Sequence, residues 1–542
     1  MNKVVMRVLK LISQILVFIA CVYLAKQLFT LDEIKLINTK NESNESFSHD
    51  LIIKENLLTG AFNKTKEEAS HLSLITSQII DAGSDILLSI GTSNKLDMNF
   101  TQSPYGFEII DYLESLRTIR VRVDDPVSFA QFLADNGDGF EFEQNVRLKL
   151  PAVPEQRILE AEEPFSGHSM NWLGAKNDRR ESGHGIKVAI LDTGIDINHE
   201  SLYGLDYSEV SLLDNGIDAG IGHGTGIASI IAGQTDEFLG LAPSSEVLSV
   251  KVLNSDGVGD SFTIAKGIVL AVDQGSDIIN LSLGGFSSSA AMDQAIQYAK
   301  SKDVLLVSAV GNDGTEGVLY PARHKDVIAV SSVDAKSRVS SFASYGPEVD
   351  LAAPGVGIVT AWEDNHFVEF SGTSIATAFV TGALAHELSK SPSQNKNVIV
   401  EALYSNLDEA EKPGKDIWAG RGVVNLRRLE QRNTPGIVDA AVVGYYFDSN
   451  NLSSSGTIPF QVTVQNQGTA WIQSMSLKVN YKGLEKNFRL GNMSAGESRS
   501  ETLYFDSDSP DKTLSISSEL SLLGQTDVLP KNNVRKSSLI LP

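Results

Sequence analysis

Lys187-Val188-Ala189-Ile190-Leu191-Asp192-Thr193-Gly194 is an apolar run that stops abruptly on a carboxylate and a glycine turn. A strand covered on one face alternates apolar with polar residues. One covered on both faces does not, so residues 187–191 read as an interior strand of a parallel sheet. Residues 247–253, 277–283, 304–310 and 327–333 have the same character. Between them apolar residues recur at helical spacing, as at Ile264, Ile268, Ala271 and Val272, or Met292, Ile296 and Ala299. Residues 185–427 are therefore predicted to be α/β, a parallel sheet with helices on both faces. Ligands of such sheets gather beyond the carboxyl ends of the strands. Asp192, Leu283-Gly284-Gly285 and Gly311-Asn312 each stand at such an end.

Phe370-Ser371-Gly372-Thr373-Ser374-Ile375-Ala376-Thr377-Ala378 adds a serine between a glycine turn and a helix apolar on every side. Such a helix must be buried, and the free N–H groups of its first turn face any negative charge forming beside Ser374. A serine hydroxyl is barely ionised at neutral pH and needs a base. His223, in Gly222-His223-Gly224-Thr225, is the candidate, with Asp192 to hold its second ring nitrogen. The amide of Asn312 and the N–H of Ser374 would bind a developing oxyanion. Taken singly, these residues read more simply as a capping Asp, a core His, a turn Asn and a capped helix start.

Together, Val188 to Asp196, Gly222-His223-Gly224-Thr225 and Gly372-Thr373-Ser374, in the order Asp, His, Ser, resemble the subtilisin-type (subtilase) serine peptidases. The resemblance implies a serine endopeptidase acting on protein or peptide substrates, with Asp192, His223 and Ser374 as triad and Asn312 in the oxyanion hole. It makes Asn280-Leu281-Ser282-Leu283-Gly284-Gly285 a substrate-lining strand, with Ser282, Leu283 and Gly284 along the peptide and Asp256-Gly257-Val258-Gly259 opposite. Leu319 falls at the floor of the pocket for the side chain before the scissile bond and Asp313 at its rim. The first favours small aliphatic side chains there, while the second could instead attract Lys or Arg. His199 matches a structural His, and His184 and His386 are left as ordinary residues. The chain departs from the family at Gly226, where a second His is usual, at Ile375 in place of Met, and at Ala378-Phe379 in place of Pro-His. No metal ligands are assigned. The loop at Gln234-Thr235-Asp236-Glu237-Phe238 is short for a strong calcium site, so calcium stays an open question.

The chain of 542 residues is too long for one domain, and its net charge of −23 disfavours nucleic acid. One cysteine, Cys21, rules out an intramolecular disulfide. Residues 1–30 carry Lys3, Arg7 and Lys10 ahead of an apolar run at 11–25, which predicts an export signal or a membrane anchor. That run is shorter than the ~20 residues of a full span. Cys21 is either a lipidation site or a plain residue of that segment. Residues 31–155 read as a pro-region in the order strand, helix, strand, helix, strand over 85–150, with 107–116 as the first helix. It resembles the inhibitor-like propeptides of subtilases, the alternative being an accessory domain that stays attached. The extended, Pro-punctuated stretch after Leu150 should carry the maturation cut, between 151 and 167. The peptidase domain is set at 156–432. Short alternating runs in 435–542, such as 459–464 and 476–481, predict an antiparallel β-sandwich. It resembles adhesion-type Ig-like (CARDB-like) modules and could hold a surface ligand. A second function follows from that: an adhesion protein whose peptidase-like domain is only a scaffold.

Overall fold

The computed structural model describes residues 66–91, 105–136, 139–155, 159, 162–213, 220–447, 457–506 and 513–540. Residues 1–30, with Cys21, lie outside the described residues. The described chain opens with α1 (Lys66–Ala82), β1 (Asp85–Ile90), β2 (Phe107–Leu113), β3 (Thr118–Val123), α2 (Pro126–Asn136) and β4 (Phe140–Gln144). These strands form an antiparallel sheet in the order β2-β3-β1-β4. The chain forms two compact units, with most of α1 and α2 in the smaller and every strand in the larger. Within the smaller, Asp125 caps α2, its carboxylate accepting the N–H groups of Val127 at 3.0 Å and Ser128 at 3.3 Å.

Residues 107–116, expected as a helix, are instead β2 and a 3₁₀ turn at Glu114–Leu116. The β-branched pair Ile109-Ile110 favours extended backbone, and β3 supplies a partner that local periodicity does not reveal. A register shift between Ile109 and Asp111 also breaks the alternation that would have marked a strand. The strand expected through 140–150 is likewise divided. β4 ends at Gln144, and β5 (Arg147–Lys149) leaves this sheet for a distant partner.

The α/β part continues with β6 (Lys187–Asp192), β7 (Tyr207–Ser211), α3 (Gly222–Ala232), β8 (Glu246–Lys251), β9 (Val258–Asp260), α4 (Ser261–Asp273), β10 (Ile278–Leu281), α5 (Ala290–Ser301), β11 (Leu305–Ala309), β12 (Ile328–Val333) and β13 (Leu351–Pro354). Seven of these strands form one sheet in the order β13-β12-β11-β10-β6-β8-β7, every neighbouring pair parallel. The continuous apolar runs are explained by burial on both faces. Val188 and Ile190 point into one core, Ala189 and Leu191 into the other. The edge strands β7 and β13 were not foreseen, because β7 carries polar residues at a half-exposed edge and β13 is short. The strand order turns around β6 and β10, so the crevice at their carboxyl ends is the natural ligand position.

A hairpin of β14 (Ile358–Trp362) and β15 (His366–Phe370) leads into α6 (Thr373–Lys390), followed by α7 (Lys396–Ser405) and α8 (Leu426–Gln431). Every residue of α6 from Thr373 to Leu388 is buried, the condition its all-round apolar sequence requires. Emptying one such position, as in Phe379→Ala, costs about 3–5 kcal/mol.

The C-terminal part comprises β16 (Ala440–Phe447), β17 (Thr457–Asn466), β18 (Met475–Tyr481), β19 (Leu484–Leu490), β20 (Ser498–Asp506), β21 (Thr513–Leu522) and β22 (Val534–Ile540). Two antiparallel sheets, β16-β17-β20 and β19-β18-β21-β22, close on one core. Phe460 of the first meets Tyr481 of the second edge to face, with ring centroids 5.2 Å apart. The fold is thus α/β around a seven-stranded parallel sheet, as the resemblance implied, preceded by an α+β region and followed by an all-β sandwich.

Candidate active site

Asp192 is the last residue of β6 and His223 the second of α3, and both are buried. His223 Nδ1 lies 2.8 Å from Asp192 Oδ1 and 2.9 Å from Oδ2. Asp192 Oδ1 also accepts the N–H of Thr193 at 2.8 Å, which fixes the carboxylate against the strand end. Glycine is required beside them: a Cβ on Gly224 would stand 2.2 Å from the carbonyl oxygen of Gly194. Phe370 meets the imidazole edge to face, with ring centroids 5.4 Å apart.

Ser374 is the second residue of α6 and is 1 % exposed. Its hydroxyl donates to the carbonyl of Ser282 at 3.3 Å, and no hydrogen bond among the described residues joins it to His223. Ser282 Oγ in turn donates to the carbonyl of Ser374 at 3.1 Å and accepts from Asn280 Nδ2 at 2.9 Å. Thr381 Oγ1 donates to Asn280 Oδ1 at 2.9 Å. A buried polar ladder therefore ties α6 to β10.

Asn312 follows β11 at the loop Gly311-Asn312-Asp313. Its Oδ1 accepts both the N–H and the hydroxyl of Thr373 at 2.9 Å, so the amide nitrogen must point the other way. Gly372 allows this approach, since a Cβ there would lie 3.0 Å from Asn312 Nδ2. Thr373 was not singled out in the sequence. Its only signal was its place between Gly372 and Ser374.

The cleft holds a segment of the chain itself. β5 pairs antiparallel with β9, Lys149 opposite Val258, and Leu150 N–H donates to Gly257 at 2.9 Å. On its other edge Lys149 exchanges two backbone hydrogen bonds with Gly284, at 3.0 and 2.8 Å. The strand then delivers the carbonyl of Ala152 to Asn312 Nδ2 at 2.9 Å. Ser282 and Leu283 are fully buried. Leu319 is 4 % exposed and packs between Gly284 and Gly311. Asp313 is exposed, with its N–H on Ser344 Oγ.

The departures have local causes. At Gly226 a Cβ would sit 3.2 Å from Thr360 Oγ1 and 3.3 Å from the carbonyl oxygen of Ala361, so β14 fills the space a larger residue would need. Ile375, Ala378 and Phe379 are wholly buried. His199 accepts the N–H of Ser201 at Nδ1 and contacts the carbonyl of His366 through Nε2, a structural role. Gln234 spends its amide nitrogen on the carbonyls of Ala232 and Pro243, and Asp236 is paired with Arg180. Among the described residues there is no group of three or more His, Cys, Asp or Glu side chains placed to hold a metal ion.

A parallel α/β sheet with a buried Asp-His pair at one strand end and a serine at the start of a central buried helix has the parts of a serine endopeptidase. The comparisons agree. The family model described as subtilase (peptidase S8) matches residues 183–422. A thermostable alkaline protease of Halalkalibacterium halodurans is 39 % identical over 256 residues, 46 % of this chain and 68 % of that protein. Subtilisin DY of Bacillus licheniformis is 36 % identical over 255 residues, 46 % of this chain and 92 % of its own. An alkaline protease of Shouchella clausii is 38 % identical over 365 residues, 66 % of this chain and 91 % of its own. The chain belongs to the subtilase family.

Proposed function

We propose that this chain is an exported subtilase made as a zymogen, that its first substrate is its own segment 147–152, and that the bond cut is Ala152–Val153. One observation carries the reading: the carbonyl of Ala152 lies 2.9 Å from the amide nitrogen of Asn312, at the end of a strand hydrogen-bonded along both edges. A carbonyl seated there is polarised before attack and its oxyanion is met as it forms.

Ser374 Oγ turns about one side-chain bond from Ser282 towards His223, a change between staggered wells. It attacks the carbonyl carbon of Ala152 while His223 Nε2 takes its proton. Asp192, on Nδ1, holds the tautomer and stabilises the imidazolium. The oxyanion rests on Asn312 Nδ2 and the N–H of Ser374. Collapse breaks the C–N bond, His223 returns the proton to the nitrogen of Val153, and water activated by the same imidazole releases the acyl group. Other proteins would bind as residues 147–152 do, through backbone on both sides, which fits a broad sequence preference.

Residues just ahead of the cut are anchored by side chains. Glu143 accepts the N–H groups of Ala290 and Ala291 at 2.7 and 2.9 Å, and Asn145 Oδ1 accepts the N–H of Phe262 at 3.0 Å, so it caps α5 and α4. The match to the Shouchella clausii protease extends over more residues than the family segment 183–422, which supports a homologous region outside it. Export rests on residues 1–30, where Lys3, Arg7 and Lys10 precede the apolar run. No helix among the described residues is long and apolar enough to cross a membrane.

The test is expression from about residue 31 in a protease-free host. Wild type should yield a mature chain beginning at Val153, while Ser374→Ala stays whole. A fluorophosphonate should label Ser374, and His223→Ala should abolish labelling. Identical cutting of both preparations would sink the self-processing reading, and a mature N-terminus elsewhere would sink the assigned bond.

A further inference from the structure

Thr373 orients the Asn312 amide, but the loop that carries it is exposed from Asp313 to Gly317 and needs a support of its own. The holding comes from residues 342–345. Ser344 N–H donates to Gly311 at 3.0 Å, Asp313 N–H to Ser344 Oγ at 3.3 Å, and Gly314 N–H to Phe342 at 2.7 Å. Tyr345 exchanges backbone bonds with the next turn, from Gly317 at 2.9 Å and to Thr315 at 3.1 Å.

Those residues are backed by the C-terminal sandwich. The Tyr345 ring stands 6.4 Å from Trp418, and Trp418 stands 6.1 Å from Tyr446 on β16. Gly346 N–H donates to Ile417 at 2.9 Å, which keeps Trp418 in line with Tyr345. A second connection starts at Arg535 on β22, which donates to the carbonyl of Lys336 in the turn leading to the same residues. The junction is not a tether. Arg427 pairs with Asp439 at 3.0 Å, and Gln465 bonds to Leu407 and Glu409 at 3.3 and 3.2 Å.

We propose that the sandwich positions the oxyanion amide, with Tyr446 and Trp418 as positioning residues acting on the Asn312 loop through Tyr345. The proposal rests on Asn312 as oxyanion donor. A catalytic amide must be held within about half an ångström to be useful, and an exposed loop without backing does not meet that limit. The sandwich then works from behind the catalytic domain, whatever it binds on its outer surface.

The experiment is a double-mutant cycle on mature enzyme, with kcat taken per titrated active site. Trp418→Ala and Tyr446→Ala should each lower kcat by about 3- to 30-fold, the range of coupling carried through packed side chains, with KM little changed. In an Asn312→Ala background the same substitutions should lower kcat no further. An equal loss in both backgrounds, or no loss per titrated site, overturns the proposal. If Asn312→Ala itself leaves kcat intact, the oxyanion reading is what has failed, and this proposal falls with it. Should the alanine variants not fold, Trp418→Phe and Tyr446→Leu give the same outcomes at smaller size.

Discussion

Leu319→Ala is expected to change which side chain the enzyme accepts before the scissile bond. Leu319 is wedged between the two glycines of the cleft. Its Cγ and Cδ1 lie 2.7 and 2.8 Å from where a Cβ on Gly311 would stand, and its Cβ 3.0 Å from one on Gly284. With leucine in place, Ala, Val or Leu should be preferred to Phe or Tyr by about 1–3 kcal/mol. Truncation to alanine removes three carbons, room for three more on the substrate. At about 0.8 kcal/mol per buried methylene the gain for Phe over Ala is about 2.4 kcal/mol, close to 60-fold in kcat/KM. The same change costs about 2–5 kcal/mol of stability, because Leu319 is buried, so rates must be taken per titrated site. A matched set of peptides varied at that one position is the assay. A Phe to Ala ratio unmoved by the substitution, or a wild-type profile topped by aromatics, refutes the reasoning. A profile topped by Lys or Arg assigns the pocket to Asp313 instead.

Thr373→Val removes the hydroxyl that donates to Asn312 Oδ1 at 2.9 Å and should lower kcat by about 2- to 10-fold, the worth of one hydrogen bond, with KM steady; an unchanged kcat refutes it. Ile375→Met places a thioether beside Ser374, so the variant should lose activity in peroxide faster than wild type, and equal inactivation would end the argument. Burial pushes the Asp416 carboxyl from 3.8 up to about 6, despite backbone N–H groups from Lys412, Trp418 and Ala419. The folded state therefore holds this proton to higher pH than the unfolded chain, and the stability it contributes is present below 3.8 and lost as pH rises through about 6, by about 3 kcal/mol. Thermal unfolding of the Ser374→Ala protein between pH 4 and 7.5 should show that fall, and Asp416→Asn should flatten it; parallel curves refute the assignment.

The interior of the sheet was legible because burial on both faces leaves its mark on consecutive residues. The runs around Val188, Val247, Ile278, Leu306 and Val330 need no partner to be recognised. The candidate site residues stood out for a related reason. Asp192, His223, Asn312 and Ser374 each lie within two residues of a glycine, and the structure gives a steric reason at two of these glycines. Gly224 and Gly372 admit a backbone or an amide where a Cβ would collide. Three stretches were not readable in this way. β2 looked helical because a bulge scrambled its alternation, while β7 and β13 left no signal, the first because an edge strand has little to bury and the second because it is only four residues long.

What remained hidden depends on contacts between residues far apart in sequence. Nothing local distinguishes Arg147-Leu148-Lys149 from the strand just before it, yet β4 stays in its own sheet and β5 crosses to β9. The divide is at Asn145, whose side chain caps α4 more than a hundred residues later, and a cap of that kind is invisible until both ends are in place. Thr373 and Trp418 are hidden for the same reason. Each acts on Asn312, directly or through Tyr345, from a position whose neighbours in sequence carry no hint of it. A reading of one sequence thus finds the groups that react sooner than the groups that hold them still. Precision in an oxyanion hole is made by the second kind, so the residues most informative to mutate next are those that no motif contains.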